Sequence, residues 1–212
     1  MTISAIYLAA GFSKRFGENK LLHEIDGKPM YQYTLEKLIS IWQERTLISQ
    51  VIVVTQYDEI EQQIVQQNIF LQGTMKGNAK EIQVVRNRHS ERGIASSLQL
   101  GVQAAGDADA YLFCVADQPY LKKETIENFV KGYIAAGKGI GCLSWGERYG
   151  NPTIFDRKYK EELLGLSGDI GGRQIVSNNP QDIYWYEVSD DYELRDIDFG
   201  NELESDFRSE LQ

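Results

Sequence analysis

The stretch SAIYLAAGFSKRFGENK, residues 4–20, runs from an apolar segment of strand length through small residues into a loop that gathers Lys14, Arg15 and Lys20. Gly11 and Gly17 allow tight backbone geometry, and Ala9 and Ala10 let a ligand come close to the main chain. Exposed N–H groups beside lysine and arginine suit phosphates. The spacing excludes two familiar phosphate loops. A Walker loop needs Gly-Lys followed by Ser or Thr, whereas Glu18 and Asn19 follow Gly17; the dinucleotide fingerprint needs three glycines where this chain has Gly11, Ser13 and Phe16.

Outward from that stretch, further strand-length apolar runs follow at SQVIVVTQ, EIQVVRN, AYLFCVAD and IGCLSWG. Between the runs, residues 31–42, 58–67, 94–105 and 123–136 show helical patterning. This alternation predicts an α/β fold, a Rossmann-like three-layer α/β/α arrangement around a mostly parallel central sheet. Tyr31, Leu35, Leu38 and Ile39 recur at helical spacing and read as core. In such folds ligands bind beyond the carboxyl ends of the strands. Three segments fall there: residues 11–20, RNRHSERGIASS and ADQPYL. LQGTMKGNAKE reads as a polar surface loop. Past Gly150, GNPTIF reads as extended, KYKEELLGL and GGRQIVSNN as helical, DIYWYEV as a strand and LRDIDFG as an acidic turn; this tail is expected to complete the sheet and close the site.

The 212 residues, 42% hydrophobic and 25% charged, suit one domain over 1–212. A formal net charge of −9 argues against sequence-independent binding to nucleic acid or to an anionic membrane. Met1 leads almost directly into an apolar strand without a leader pattern, and no apolar run is long enough to span a bilayer, so a cytoplasmic protein is expected. Cys114 and Cys142 lie inside apolar runs and read as buried small side chains; His23 and His89 stand apart with no ligand spacing.

Several ordered motifs, LAAGFSKRFGENK, GIASSL, VADQPYL, GNPTIF, LSGDIGGRQI and RDIDFGNEL, together resemble the nucleotidyltransferase superfamily that activates sugars, isoprenoid precursors and pterins. Within it the chain resembles the molybdenum cofactor cytidylyltransferases (MocA-like), which overlap with NTP-transferase-like proteins of purine catabolism. The resemblance implies that Leu8, Ala9, Ala10, Gly11 and Ser13 meet the nucleotide, with Gly93, Ser96 and Ser97 contributing from a second loop. Arg15 and Lys20 would neutralise the triphosphate, and Lys14 reads as a solvated charge. Asp117 would be the principal Mg²⁺ ligand and Asp198 the second, with Asp196 a nearby alternative. Relatives usually continue after the second aspartate with Thr-Pro-Glu-Asp, where this chain has Phe199, Gly200, Asn201 and Glu202. Gly150, Asn151 and Pro152 would face the acceptor; Asp169 would orient the acceptor loop or cap the next helix.

The activity so implied is Mg²⁺-dependent transfer of CMP from CTP to molybdopterin-type molybdenum cofactor, giving the cytosine dinucleotide and pyrophosphate. Ala10 bears on the base, because the guanylyl-transferring branch typically has glycine there. Two alternatives stay open at this level: nucleotidyl transfer to a sugar or polyol phosphate, and a non-catalytic carrier that delivers molybdenum cofactor to a xanthine dehydrogenase-type hydroxylase.

Overall fold

The computed structural model describes residues 1–11, 19–44, 46–74 and 81–197, with 69–74 described by their backbone alone. The chain begins with β1 (Ile3–Ala9), whose seven residues are all buried, as a central strand covered on both faces requires. A short antiparallel pair, β2 (Glu24–Ile25) and β3 (Lys28–Pro29), leads into α1 (Met30–Gln43). The stripe Tyr31, Leu35, Leu38 and Ile39 is buried, as the helical spacing predicts. Then follow β4 (Gln50–Thr55), α2 (Asp58–Thr74), β5 (Gln83–Arg86), α3 (Ile94–Ala105), β6 (Ala110–Val115), α4 (Lys123–Ala136) and β7 (Ile140–Trp145). The helix ends expected for α3 and α4 coincide with those observed, and α4 stops at Gly137, which takes the left-handed conformation that glycine allows.

The last part of the chain adds β8 (Arg148–Asp156), α5 (Lys160–Leu164), α6 (Arg173–Asn178) and β9 (Ile183–Glu187). The seven-stranded sheet has the order β5-β4-β1-β6-β8-β7-β9. Every neighbouring pair is parallel except those made by β8, which runs antiparallel to both β6 and β7. The sheet is thus mostly parallel, and β8 is the departure from the simple alternation. It turns back from β7 and inserts beside β6, where its apolar second half, Ile154 and Phe155, is fully buried.

Two apolar layers cover the sheet. Tyr7, Tyr31, Leu35, Val53 and Phe129 belong to one, and Ile6, Ile52, Leu98, Phe113 and Phe155 to the other. Gly101 brings α3 down onto β1, since a Cβ there would lie 2.3 Å from Cγ2 of Ile6. The segment LQGTMKGNAKE is not a loop throughout: α2 continues to Thr74, past the expected end at 67. Asn68 explains the extension, because its side chain donates to the Ile82 carbonyl and accepts from the Ile82 N–H, both at 2.9 Å, tying the helix to the start of β5. Among the described residues no helix is long and apolar enough to cross a membrane.

Candidate active site

The strand order reverses at β1. Its successors β4 and β5 lie on one side and β6 on the other, so a crevice opens beyond the carboxyl ends of β1 and β6. Beyond β1, the Ala10 carbonyl accepts from Gln56 Nε2 at 2.8 Å and the Gly11 carbonyl from the Tyr57 hydroxyl at 2.6 Å. The backbone leaving β1 is thereby held from β4's own carboxyl end. Beyond β6, Asp117 follows directly, with 27% of its side chain exposed. Lys20 reaches it from a single helical turn, Lys20–Leu22, in which Asn19 Oδ1 accepts the Leu21 N–H at 3.1 Å. The Lys20 ammonium, 12% exposed, lies 2.9 Å from Asp117 Oδ2 and donates to the Ile197 carbonyl at 3.1 Å. Two residues 97 positions apart therefore form one ion pair at the switch point.

The turn that carries Asp117 is fixed on every side. Thr34 Oγ1 donates to the Gln118 carbonyl and Lys37 Nζ to the Pro119 carbonyl, each at 2.7 Å. Burial, with Lys28 nearby, lowers the Lys37 ammonium to about 8. From the other side the segment 190–197 lies along the turn. The Ile197 N–H donates to the Asp117 carbonyl at 2.9 Å, Gln118 Nε2 donates to Asp196 Oδ1 at 2.9 Å, and Tyr120 packs on Tyr192 with centroids 4.3 Å apart. Glu193, only 2% exposed, anchors this strap by accepting the Lys122 N–H at 3.0 Å, with the Lys122 ammonium at 3.4 Å. Sequence reasoning missed Thr34, Lys37, Gln118 and Glu193. For the helical pair, a polar couple three apart on the face beside the apolar stripe was the available signal.

A second loop joins the site through the start of α3. Asn87 Nδ2 donates to both Ser96 Oγ (2.9 Å) and Ser97 Oγ (2.8 Å), and Ser96 Oγ donates to the Gly93 carbonyl at 2.8 Å. Ser90 Oγ donates to Gln56 Oε1 at 2.7 Å, and Gln56 in turn holds Ala10. The two loops singled out in the sequence are thus one hydrogen-bonded unit, beside a cavity of about 510 Å³ lined by Gln56, Asn87 and Ser90 among others. Gly93 has φ +86, and a Cβ on it would meet Gly168 backbone atoms at 2.4 Å and Asp169 Oδ1 at 2.5 Å. The Ala95 N–H donates to the Gly168 carbonyl at 3.1 Å, so the 167–172 turn is docked on the first turn of α3.

On the far side of Asp117 lies the larger cavity, about 980 Å³, bordered by Leu8, Gln118, Gly150, Asn151, Asp169 and Asp196 among others. Between β7 and β8 the register shifts: Cys142 faces Thr153, yet Leu143 faces Gly150. Asn151 and Pro152 are the extra residues of this bulge, which is how a proline is accommodated inside a sheet and how Asn151 comes to the cavity wall. Ser13, Lys14, Arg15 and Asp198 lie outside the described residues. Both cysteines are fully buried; desolvation pushes the Cys142 thiol up to about 12 and Cys114 higher still, which suits packing and not nucleophilic chemistry.

Comparison with known proteins decides the family, because residues 5–183 match the MobA-like NTP transferase domain. The chain belongs to that family. A probable molybdenum cofactor guanylyltransferase of Pyrococcus horikoshii is 28% identical over 166 residues, covering 77% of this chain and 74% of that one. The purine catabolism protein PucB of Bacillus subtilis is 24% identical over 202 residues, 94% and 93% of the two chains. Among solved structures, a nucleotidyl transferase from Methanothermobacter thermautotroptrophicus superposes with a TM-score of 0.70 at 22% identity, over 98% and 95% of the chains, and shares the fold.

For a MobA-like NTP transferase the chemistry needed at the switch point is charge management. Nucleotidyl transfer proceeds by aligning two anions and stabilising negative charge, with no protein nucleophile required. Lys20 supplies a fixed cation, and Asp117 supplies a carboxylate. Among the described residues no group of three or more His, Cys, Asp or Glu gathers as a ready-made metal cage. The Asp117 carboxylate is nevertheless a hard oxygen donor, and in the next residue Gln118 Oε1 is buried and has no hydrogen-bond partner among the described residues. A sparse oxygen set of this kind fits Mg²⁺, which takes much of its coordination from water and substrate phosphates.

Proposed function

We propose that this nucleotidyltransferase moves CMP from CTP to the terminal phosphate of a molybdopterin-type molybdenum cofactor, with Mg²⁺. An acceptor phosphate oxygen attacks the α-phosphorus, the bond from that phosphorus to the bridging oxygen breaks, and pyrophosphate leaves. The observation that carries the reading is the 2.9 Å Lys20–Asp117 pair at the carboxyl ends of β1 and β6, between the loop unit that holds Ala10 and the large cavity. Lys20 and Arg15 would bind the triphosphate, and Asp117, with Asp198, would hold the metal; Ile197, the residue before Asp198, already touches Asp117. When bound, Mg²⁺ would offset the mutual repulsion of the two anions. Gly11, Ser96 and Ser97 are assigned to the nucleotide, and Asn151 with Asp169 to the acceptor side.

The choice of CTP rests on Ala10, buried with its carbonyl already taken by Gln56. A methyl group at this position limits how closely a purine approaches the strand end. One carbon discriminates by only about 1–3 kcal/mol, so neighbouring groups must share the selection. The names of the archaeal relatives favour a second reading, with GTP as donor. The test is pyrophosphate release with each nucleotide, Mg²⁺ and molybdenum cofactor, for wild type, Ala10→Gly and Asp117→Asn. The proposal expects kcat/KM to favour CTP, Ala10→Gly to relax that preference in part, and Asp117→Asn to lose turnover while remaining folded. Preference for GTP would transfer the assignment to the second reading, and absence of pyrophosphate with every nucleotide would leave a carrier.

A further inference from the structure

The strand order leaves β5 and β9 at the two edges of the sheet, and the two are built differently. β5 has four residues and ends on Arg86, whose guanidinium is taken by Asp58 and Glu61. β9 reads Ile-Tyr-Trp-Tyr-Glu over 183–187. Open edges are ordinarily protected by lysine, proline, a bulge or a covering element, because their free N–H and C=O groups template another strand. β9 carries no lysine, proline or bulge and runs in unbroken register with β7 from Ile183 opposite Ile140 to Glu187 opposite Ser144.

The Val188 N–H donates to the Ser144 carbonyl at 2.9 Å, so residues 188, 186 and 184 turn their backbone groups to β7. Ile183, Trp185 and Glu187 turn theirs outward, and no strand among the described residues takes them up. At the middle of this row Trp185 is 45% exposed, its ring held edge-on against Tyr149 with centroids 5.3 Å apart. Charge says what covers the row. Its N-terminal end is basic: Lys138 donates to the Gln181 carbonyl at 2.9 Å, and Lys158 lies 2.7 Å from Asp182, two ammoniums to one carboxylate. Its C-terminal end is acidic. Glu187, Asp190, Asp191 and Glu193 stand there against Lys122 and Arg195. A second β9 laid antiparallel sets each basic end on an acidic one, whereas a parallel copy would set like on like.

We propose that two copies of this chain pair β9 with β9, antiparallel about a two-fold axis at Trp185, so that their sheets join into one. The outward groups of Trp185 exchange both hydrogen bonds with those of its counterpart, and Ile183 of each copy does the same with Glu187 of the other. The two Trp185 rings then form a cross-strand pair, which strengthens such a ladder. Tyr149, which borders the large cavity, stands directly behind the interface. The dimer does not depend on the nucleotide or the acceptor assigned above.

Sedimentation velocity on the full chain, across a wide range of concentration, should show a reversible monomer–dimer equilibrium. Trp185→Pro removes the ring and one outward N–H while sparing the bonds to β7, and should leave the chain monomeric. Lys138→Glu and Glu187→Lys each set like charges together at both ends of the pairing and should raise the dimer Kd roughly tenfold, and the double variant should return it to within about threefold of wild type. Near-ultraviolet circular dichroism checks that each variant is folded, and the charge pair carries the test if the proline variant is not. Hydrogen–deuterium exchange in a peptide covering 183–187 should slow as wild-type concentration rises. A wild type that stays monomeric at every concentration overturns the pairing, as does a dimer whose 183–187 amides exchange no more slowly than the monomer's. A dimer lost in Trp185→Pro but indifferent to both charge reversals overturns the antiparallel two-fold arrangement.

Discussion

Replacing Gly93 by alanine would strike the joint between the two substrate sides. Its backbone, φ +86 with an extended ψ, is accessible essentially only to glycine, and imposing it on alanine costs roughly 1–3 kcal/mol. The new methyl would lie 2.4 Å from the backbone of Gly168 and 2.5 Å from Asp169 Oδ1, and a backbone atom cannot rotate aside as a side chain does. The 167–172 turn must therefore lift from α3, losing the Ala95 N–H to Gly168 carbonyl bond, worth about 1 kcal/mol. Together the loss is roughly 2–4 kcal/mol, a fall in Tm of about 5–10 °C for a chain of this length. Urea denaturation measures the first quantity. Steady-state kinetics measures the functional one, and here KM for the acceptor should rise, because Asp169 is displaced from the large cavity, while CTP binding stays within about threefold of wild type, a shift of under 1 kcal/mol. A variant within about 0.5 kcal/mol of wild type and unchanged toward the acceptor would refute the docking argument. Lost CTP binding with an intact acceptor KM would put Gly93 on the nucleotide side, where the family resemblance places it.

Lys37 should give stability a measurable pH dependence. Its folded ammonium titrates near 8 against 10.5 in the unfolded chain, so between these values the unfolded state binds more protons and stability rises with pH. Allowing for the solvent that still reaches this side chain, the rise is on the order of 1 kcal/mol; urea melts at pH 7.5 and 9.5 should show it in wild type and lack it in Lys37→Met. Glu193→Ala leaves the part-buried Lys122 N–H without its acceptor and should cost about 1–3 kcal/mol by urea denaturation, whereas Glu193→Gln retains an accepting oxygen and should cost less. Equal and negligible losses in both would show that the strap is not held there.

The fold was legible because its elements announce themselves locally. Glycines bracket α3 at 93 and 106, and each strand of the parallel core is a short apolar run. The antiparallel insertion of β8 was not, because the bulge at Asn151 and Pro152 breaks the period that would have marked one strand from Arg148 to Asp156. Of the candidate site, the sequence pointed to Ala10, Gly11 and Asp117, which stand just past strand ends, and to Lys20 on the short helical turn that follows the first loop. It did not expose the groups that hold them. Glu193 meets Lys122 across 71 residues and Gln118 meets Asp196 across 78, and no local pattern encodes such a pairing. Leu8, read from the sequence as a nucleotide contact, and Asp169, read as lying on the acceptor side, border one cavity; that Arg148, Tyr149 and Arg173 share it follows only from the order in which β7, β8 and β9 assemble.

Under the proposed reaction, the Lys20–Asp117 pair also sets which form of the nucleotide the site prefers. A metal-free triphosphate approaching Lys20 must displace Asp117 Oδ2 from a contact of 2.9 Å and then sit beside a carboxylate it repels. A bare cation approaching Asp117 meets the Lys20 ammonium in the same way. The metal–nucleotide complex resolves both conflicts at once, since the carboxylate turns to the cation and the ammonium to the phosphates, and no charge is left unpaired in a site where Lys20 is 12% exposed. The pair thus keeps two reactive charges desolvated and in place before substrate arrives, so little reorganisation accompanies binding. Asp117→Asn separates the two roles: it removes the repulsion felt by metal-free CTP and also the carboxylate that favours the metal complex. In calorimetric titrations that variant should bind CTP with and without Mg²⁺ more nearly alike than wild type does. A variant whose Mg²⁺ dependence of CTP binding equals that of wild type would show that Asp117 is not the group that couples metal to nucleotide.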